Sequence, residues 1–347
     1  MAPTGMFDFA PLRARLAGRP ILLFYDGYER YALEGLRGLA ASTRSVARYA
    51  YRSLRGKQVH TGFYTAFVAL ETSLRRCGFE VRINDFDYAR RHPTTPIGVA
   101  GYVSVLERTD ALPNPRIFGP GDFGYPPETA VVAADPRFKT LTHPSQWYVE
   151  LYRKYCGSKL QPWFVGIDLA KYTVPADPQR TLDYIVYDKI RWRREVYETT
   201  FLPRVFAALD AKGRSYVTLR YGEHRQPTYL AHLREARGVI FLCEHETQGL
   251  AYQEALAMNV PVLAWDDEKL VDPRLLEFVT PETHVSSVPY FDARCGRRFK
   301  LDAFEAEFER FEADLSSYQP RAYVAERLSQ EECAYRYVSL YLDAETR

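Results

Sequence analysis

The chain has 347 residues, of which 46% are hydrophobic and 26% are charged, and its 46 basic and 44 acidic side chains give a net charge of +2. This composition is typical of a globular protein that is long for a single hydrophobic core and suited to two α/β domains. The near-neutral balance gives no reason to expect a nucleic-acid partner, and we predict none.

A first α/β set occupies the amino-terminal half of the chain. Short apolar runs predict strands, and apolar residues at helical spacing predict helices. The predicted strands are residues 21–25, 79–83, 97–105, 130–134 and 139–142, and the predicted helices are residues 63–76 and 145–155. Asp85-Phe86-Asp87 has the spacing of a D-x-D metal motif, but three-residue patterns arise readily by chance. We therefore interpret it as a polar turn after the second strand.

Residues 29–58 hold seven basic and two acidic residues. If this segment is helical, its arginines fall within an arc of about 80°. These arginines are Arg30, Arg37, Arg44, Arg48, Arg52 and Arg55. A solvated helix face is one interpretation of the stripe. The alternative hypothesis is that it binds anionic lipid headgroups or the phosphates of a lipid-linked substrate.

The second half begins after a turn-rich stretch at residues 172–183. A strand is predicted at residues 183–189, followed by a basic cluster and a helix at 195–212. Residues 214–242 are then predicted to form a strand, a loop, a helix and a second strand, with Pro227 at the first helical position.

Other features exclude several classes of site. Five scattered cysteines, never in a C-x-x-C pair, indicate neither a disulfide framework nor a zinc site, and they favour a reducing cytoplasm. The seven histidines show no metal-ligand spacing. We see no run of 18 apolar residues and no amino-terminal signal pattern. We therefore expect a cytoplasmic protein, with peripheral contact at the inner face of a membrane as an open question.

The most informative segment is residues 239–265, VIFLCEHETQGLAYQEALAMNVPVLAW. It predicts strand, loop, helix and strand, with the helix from about Gly249 to Asn259, a residue that tolerates the left-handed C′ conformation. In such a βαβ unit, the loop and the helix start open into the ligand crevice and favour phosphate. Glu246 and Glu254 would place two carboxylates beside that anion site. Such a site suits a ligand with phosphates and hydroxyls, although the pair alone also fits a helix cap.

The order E-T-Q-G-L-A-Y-Q-E-A-L-A-M-N-V-P-V-L resembles the E-x7-E signature of retaining glycosyltransferases of the GT-B fold, specifically the family-4-like group. The resemblance implies an α/β protein with two Rossmann-like domains facing each other across a cleft. It also implies that Glu246 bonds hydroxyls of the donor sugar and that Glu254 holds the ribose. The remaining donor contacts that it implies are Thr247, Gln248, Gly249 and Leu250.

Two segments of the first half resemble the same family. Residues 60–81 resemble its glycine loop, helix and second strand, which places Gly62 in the glycine loop on the donor side. Residues 145–168 resemble its last amino-terminal helix and a strand ending in G-I-D. The domain boundary is therefore expected near Asp168.

The basic cluster after residue 188 stands where the family carries an arginine and a lysine that neutralise the donor diphosphate. The candidates are Lys189, Arg191, Arg193 and Arg194. Lys189 is the first choice because it follows the predicted strand end, where a parallel sheet binds its ligands, and Arg194 is the second. Together with Glu246, these two residues form the predicted catalytic set.

These interpretations lead to a domain plan and a function. We expect an acceptor-side domain at 1–168, a nucleotide-sugar-binding domain at 169–325, and a carboxyl-terminal helix within 326–347 that packs on the first domain. The predicted activity is transfer of a sugar from a nucleotide sugar to a hydroxyl of a carbohydrate or glycolipid acceptor, with retention and without a metal or other cofactor. A sugar-nucleotide epimerase and a non-catalytic binding module are the alternatives.

Overall fold

The computed structural model describes residues 7–54, 61–121, 124–174 and 180–346. The chain divides into two compact units. Unit 1 comprises Met1–Gly166 and Gln330–Arg347, and unit 2 comprises Ile167–Ser329. Each unit contains one parallel β-sheet, of six strands in unit 1 and five in unit 2. The predicted α/β class is therefore confirmed.

Unit 1 alternates strands and helices along the chain. Its elements are α1 (Ala10–Leu16), β1 (Ile21–Asp26), α2 (Gly35–Leu54), α3 (Gly62–Arg76), β2 (Val81–Ile83), α4 (Phe86–Arg91), β3 (Ile97–Gly101), α5 (Ser104–Thr109), β4 (Arg116–Gly121), α6 (Pro126–Ala134), β5 (Phe138–His143), α7 (Gln146–Cys156) and β6 (Leu160–Pro162). The strands pair in the order β2-β1-β3-β4-β5-β6. Strands β1 and β3 are buried along their whole length, as inner strands of a parallel sheet are when helices cover both faces.

Unit 2 repeats the pattern with a smaller sheet. Its elements are β7 (Leu182–Asp188), α8 (Arg194–Thr200), α9 (Leu202–Ala211), β8 (Tyr216–Arg220), α10 (Gln226–Glu235), β9 (Ala236–Leu242), α11 (Leu250–Ala257), β10 (Val262–Trp265), β11 (Gly296–Phe299), α12 (Phe304–Ala313) and α13 (Pro320–Arg327). The strand order is β11-β10-β9-β7-β8. An apolar cluster that includes Phe201, Trp265 and Phe308 fills one face of this sheet.

The chain enters and leaves unit 2 at adjacent positions. Ile167 and Ser329 form a parallel β-bridge, and the amide of Ile167 donates to the carbonyl of Leu328 at 2.8 Å. Arg321 adds to this closure, since its guanidinium donates to the carbonyls of Leu169 and Tyr172 at 3.1 and 2.5 Å. The first and last segments of the unit are thus bonded to each other.

The chain then returns to unit 1 as helix α14 (Gln330–Thr346), which packs against α3. The buried hydroxyl of Tyr341 accepts from the amide of Leu22 at 3.0 Å and donates to the carbonyl of Pro96. Helix α14 therefore belongs to the core of unit 1, where its tyrosines anchor it to the start of strand β1.

The sequence prediction was wrong for one strand of unit 1. Residues 130–134 were expected to be a strand, but they form the end of helix α6. A run of small apolar residues fits a short strand and a buried helix equally well, and Pro126 and Pro127 favour a helix start. The strand of this region is β4 instead. Its sequence, Arg-Ile-Phe-Gly-Pro-Gly, does not predict a strand because glycine and proline are rare in strands.

Two further predictions need correction. The single helix expected at 195–212 is broken into α8 and α9 at Phe201, where Pro203 cannot donate to the preceding turn. The polar turn expected at Asp85-Phe86-Asp87 is instead the start of α4. Asp85 is its N-cap, and its Oδ1 accepts from the amide of Tyr88 at 2.9 Å.

The predicted arginine-bearing helix is present as α2, but it is shorter than segment 29–58. Arg30 precedes the helix, whereas Arg44, Arg48 and Arg52 lie within it. Arg55 and His60 fall outside the described residues, and so does the side chain of Arg37. No helix in the described ranges combines the length and the apolar character needed to cross a bilayer.

Candidate functional site

The strand orders define one special position in each sheet. In unit 2, β7 connects to β8 on one side while its other neighbour, β9, connects to β10 on the opposite side. Such a switch point leaves a crevice at the carboxyl ends of the two strands, and ligands of open α/β sheets bind there. We call the β7–β9 pair the switch point of unit 2 and the β1–β3 pair the switch point of unit 1. The two ends in unit 2 are Asp188 and Leu242, which pair directly.

Lys189 and Glu246 meet at the switch point of unit 2. The Lys189 ammonium forms an ion pair with Glu246 Oε1, and only 11% and 8% of the two side chains are exposed. The backbone holds both residues, because the Lys189 amide donates to Leu242 at 2.8 Å and the Glu246 amide donates to Ser286 at 3.0 Å. A ligand with phosphates and hydroxyls can break such an ion pair. Its phosphate would bind the lysine ammonium, and its hydroxyls would donate to the glutamate carboxylate.

Glu244 binds the basic junction to the glutamate loop. Its carboxylate accepts from the backbone amides of Arg191 and Trp192, at 3.2 and 3.0 Å. Burial raises the pKa of Glu244, and these amide bonds act in the opposite direction by favouring the charged form. The Arg191 guanidinium also donates to the carbonyl of His245 at 3.1 Å. The two loops, distant in sequence, are therefore one structural element.

His245 lies inside this element. Its ring packs on that of Trp192 with 4.6 Å between centroids. Burial, reinforced by the charge of Arg191, lowers the pKa of His245 to about 4. The imidazole is therefore neutral at physiological pH and supports the loop by packing.

Helix α11 begins after Gly249, and only glycine fits there. Its φ is +83°, in the left-handed region, and a Cβ would overlap the ring of Tyr252. The neighbouring predicted contacts differ in access: Thr247 and Leu250 are partly exposed, whereas Gln248 is buried and donates to Gln253 Oε1 at 3.1 Å. Thr247 and Leu250 thus lie nearer the surface, whereas Gln248 and Gly249 are buried.

Glu254 lies one turn into α11. Its Oε1 accepts from the Tyr172 hydroxyl at 3.0 Å and from the Gln226 side-chain amide. Burial raises the pKa of Glu254, and these two hydrogen bonds oppose that shift. Among the described residues, none bonds its Oε2. The second oxygen therefore keeps its capacity to accept hydrogen bonds.

Arg194, the second-choice cation, is engaged with acidic neighbours. Its guanidinium bonds the buried carboxylate of Asp188 at 2.7 and 3.0 Å and that of Glu198 at 2.6 Å. Together with Thr218 and other residues it lines a surface cavity of about 440 Å³. Two carboxylates therefore already compensate its charge, whereas the ion pair of Lys189 is with Glu246.

The remaining predicted residue, Gly62, lies elsewhere. Gly62 is the first residue of helix α3 in unit 1, and a Cβ there would meet no atom within 4 Å. Asp266 accepts from the Ser286 hydroxyl at 2.7 Å and from the Ser287 amide at 3.0 Å. It therefore holds the loop to which the Glu246 amide donates. In the part of the chain that the structure describes, no group of three or more potential metal-binding side chains is clustered.

The corresponding end of unit 1 carries aromatic rings. Tyr28 follows β1 and Tyr102 follows β3, and their centroids are 5.2 Å apart. Phe63 extends the cluster, 5.5 Å from Tyr102. Tyr28 is 48% exposed. The switch point of unit 1 is therefore aromatic, with Tyr28 exposed and Tyr102 and Phe63 partly exposed.

Three residues of the site were missed from sequence. Tyr172 and Gln226 bond Glu254, and the Tyr221 ring lies 4.3 Å from the Lys189 ammonium. Tyr172 lies before β7, whereas Tyr221 and Gln226 lie in the connection from β8 into the start of α10, and each residue is distant along the chain from its partner. No spacing pattern links such residues, so only the folded sheet brings them together.

No protein-family model matches the chain, and no curated protein matches it. Among solved structures it is similar to AviGT4, a glycosyltransferase involved in avilamycin A biosynthesis, with 12% identity over 94% of this chain and 98% of that chain, and a TM-score of 0.52. The chain has a GT-B fold. This is the fold that the E-x7-E resemblance predicted.

Two other solved structures are similar at a lower score. A glycosyltransferase from Rickettsia africae matches with 11% identity over 94% of this chain and 99% of that chain, at a TM-score of 0.49. Sucrose-phosphate synthase from Thermosynechococcus elongatus matches with 11% identity over 93% of this chain and 98% of that chain, also at 0.49.

Proposed function

We propose that this protein transfers a sugar from a nucleotide-sugar donor to an acceptor hydroxyl. The observation that carries the proposal is the Lys189–Glu246 ion pair at the switch point of unit 2, followed by Glu254 in the first turns of α11. A cation, two carboxylates and the amides around Gly249 match the phosphates and hydroxyls of a nucleotide sugar. The fold shared with a glycosyltransferase supports the same conclusion.

Each site residue has a proposed role. Lys189 leaves Glu246 and binds the donor diphosphate, whose negative charge grows as the sugar departs. Glu246 then accepts hydrogen bonds from the sugar hydroxyls. The Oε2 of Glu254 accepts from the ribose, while Tyr172 and Gln226 hold the other oxygen in place. Gly249 allows the backbone to approach the sugar phosphate.

The reaction breaks the bond between the anomeric carbon and the diphosphate oxygen, and it forms a bond from that carbon to the acceptor oxygen. The proton of the acceptor hydroxyl leaves with the nucleotide diphosphate. We propose retention of the anomeric configuration, by resemblance to the E-x7-E transferases. Proton NMR of the first product tests this, because an inverted anomeric coupling would contradict it.

We also propose that no metal is required. Lys189 and the amino end of α11 supply positive potential where a metal would otherwise act. Activity should survive treatment with EDTA and remain unchanged on adding Mg²⁺ or Mn²⁺. Loss with EDTA and recovery with one of these ions would refute this part of the proposal.

The acceptor is proposed to be a carbohydrate or glycolipid that contacts unit 1. Its switch point is aromatic, and ring faces stack on the apolar face of a sugar. We propose no particular charge or length for the acceptor.

The experiment is an incubation with a panel of nucleotide sugars, with and without a cell extract as a source of acceptor. Release of free nucleotide only with the extract supports transfer. Conversion of the donor sugar without extract identifies an epimerase, and binding without any conversion identifies a binding module. Each of these two outcomes refutes transfer, and a Glu246→Gln variant with full activity refutes the site.

A further inference from the structure

Helix α2 is exposed or partly exposed at every position whose side chain the structure describes, with Ser45, Arg48 and Arg52 among the partly exposed ones. It spans 20 residues, yet none of these side chains is buried. Leu36, Val46 and Leu54 are 85%, 68% and 89% exposed. Helices in globular proteins owe most of their stability to packing of an apolar face. An apolar face left this open indicates that something outside the described chain covers it.

The charge of α2 indicates what that partner is. Gly35–Leu54 contains four arginines and no acidic residue. Arg44, Arg48 and Arg52 lie on one side of the helix, and the apolar residues lie largely on the other at about 100° per residue. The Arg48 guanidinium also lies 4.3 Å over the ring of Tyr28, next to the switch point of unit 1. A partner must therefore offer negative charge and an apolar phase side by side.

We propose that α2 lies in the surface of an anionic membrane. Leu36, Val46 and Leu54 would enter the boundary between headgroups and acyl chains, and the arginines would bind lipid phosphates. A second copy of the chain would bring like charges together. A nucleic acid would offer phosphates but would leave the apolar face exposed. Helix α2 belongs to unit 1 and the proposed donor residues belong to unit 2, so this proposal does not depend on the transferase proposal.

The test is sedimentation of the full chain with vesicles in the absence of any nucleotide sugar. Vesicles of phosphatidylcholine with phosphatidylglycerol are compared with phosphatidylcholine alone, at low and at high salt. We expect binding to the anionic vesicles, weakened by salt because the Debye length shortens. Transfer activity is not measured here, so failure of this proposal is distinct from failure of the proposed function.

Two sets of variants locate the contact. The triple change Arg44→Glu, Arg48→Glu and Arg52→Glu should reduce the vesicle affinity by roughly 100-fold or more. The matched control reverses three exposed arginines elsewhere: Arg108→Glu, Arg234→Glu and Arg310→Glu. It changes the net charge equally, and we expect only a small loss of binding.

A second triple change, Leu36→Ser, Val46→Ser and Leu54→Ser, removes the apolar face but keeps every charge. It should reduce binding by about tenfold or more. Circular dichroism and the unfolding temperature should stay close to those of the unmodified chain, since none of these side chains is buried.

Three results would overturn the proposal. The first is absence of binding to anionic vesicles at low salt, and the second is equal loss of binding in the matched control. The third is a dimer in vesicle-free solution, seen by analytical ultracentrifugation, that the serine variant dissociates. That result would assign the apolar face to a second copy of the chain.

Discussion

The two units have the same strand pattern around their switch points and opposite chemistry at them. In unit 1, Tyr28 and Tyr102 follow the ends of β1 and β3, and their rings pack edge to face. In unit 2, the loops that follow β7 and β9 carry Lys189 and Glu246, which form an ion pair. Parallel topology therefore determines where a ligand binds, and the few residues after each strand determine which ligand it is.

Under the proposed function, this contrast predicts different substrates for the two units. Charged groups at the switch point of unit 2 suit phosphates and the hydroxyls next to them. Exposed rings at the switch point of unit 1 suit a neutral sugar face. Mutations at the two positions should therefore affect different kinetic constants.

The largest effect is expected from Glu246→Gln in unit 2. The change keeps the shape of the side chain but removes the carboxylate charge that holds sugar hydroxyls and Lys189. We expect kcat/KM for the donor to fall by roughly 100- to 1000-fold. The control is Glu309→Gln on the exposed side of α12, which should leave the rate unchanged. Similar rates for both variants would contradict the proposed role of Glu246.

The next prediction distinguishes the role of Lys189 from that of Arg194. Lys189→Ala should weaken donor binding by about tenfold to 100-fold, measured by calorimetry with the nucleoside diphosphate, because one charge-assisted contact is lost. Arg194→Ala leaves the buried Asp188 without its ion-pair partner. We expect it to lower the free energy of unfolding by about 2 kcal/mol, with a smaller change in donor binding. If Arg194→Ala weakened donor binding more than Lys189→Ala, Arg194 would be the residue that binds the diphosphate.

A smaller effect is expected at the switch point of unit 1. Tyr28→Ala removes an exposed ring, so the KM for the acceptor should rise by about tenfold while the affinity for the nucleotide stays constant. Tyr125→Ala provides a matched control, since Tyr125 is a partly exposed tyrosine of the same unit. A loss of nucleotide affinity in Tyr28→Ala would mean that unit 1 contributes to donor binding.

The smallest effect concerns stability, through Glu254→Gln. Burial raises the pKa of Glu254 above its ordinary value of 4.5, so ionisation costs more in the folded chain than in the unfolded chain. The cost is absent well below pH 4.5, grows as the pH rises from 4.5 to the raised pKa, and is constant above it. The variant should therefore be more stable at pH 8, by about 1 kcal/mol, and equally stable near pH 4. Chemical unfolding at the two pH values measures this.

The same variant also tests function, because a glutamine side chain lacks the charge that we assign to the ribose contact. A variant that is more stable and yet binds the donor less well would show that the Glu254 carboxylate contributes to ligand binding at a cost in stability. If Glu254→Gln instead lowers stability at pH 8, the carboxylate serves the fold.

The local structure around the candidate site was predictable from sequence, because its signals lie within a few residues of one another. Residues 239–265 form a strand, a loop, a helix and a strand as predicted, and Asn259 has a left-handed φ of +57° after the helix. Both properties depend on residues within a few positions of one another. The position of Lys189 at a strand end followed from the same reasoning.

The missed features depend on contacts between distant segments or on ambiguous local patterns. The Tyr172–Glu254 hydrogen bond joins residues 82 positions apart. The error at 130–134 came from a short apolar run, which strands and buried helices share. The exposure of the apolar side of α2 was also not predictable, because a helix with an apolar side is ordinarily expected to bury that side.

The closure of unit 2 by the Ile167–Ser329 bridge has a consequence for how this chain could be engineered or could diversify. Because the segment begins and ends at one place, a different donor module could be spliced in at the same two junctions without lengthening either connection. Under the proposed function, exchange of residues 167–329 between related chains should yield hybrids that keep one acceptor preference and gain another nucleotide specificity. A recombination point of this kind would let donor and acceptor choice evolve separately.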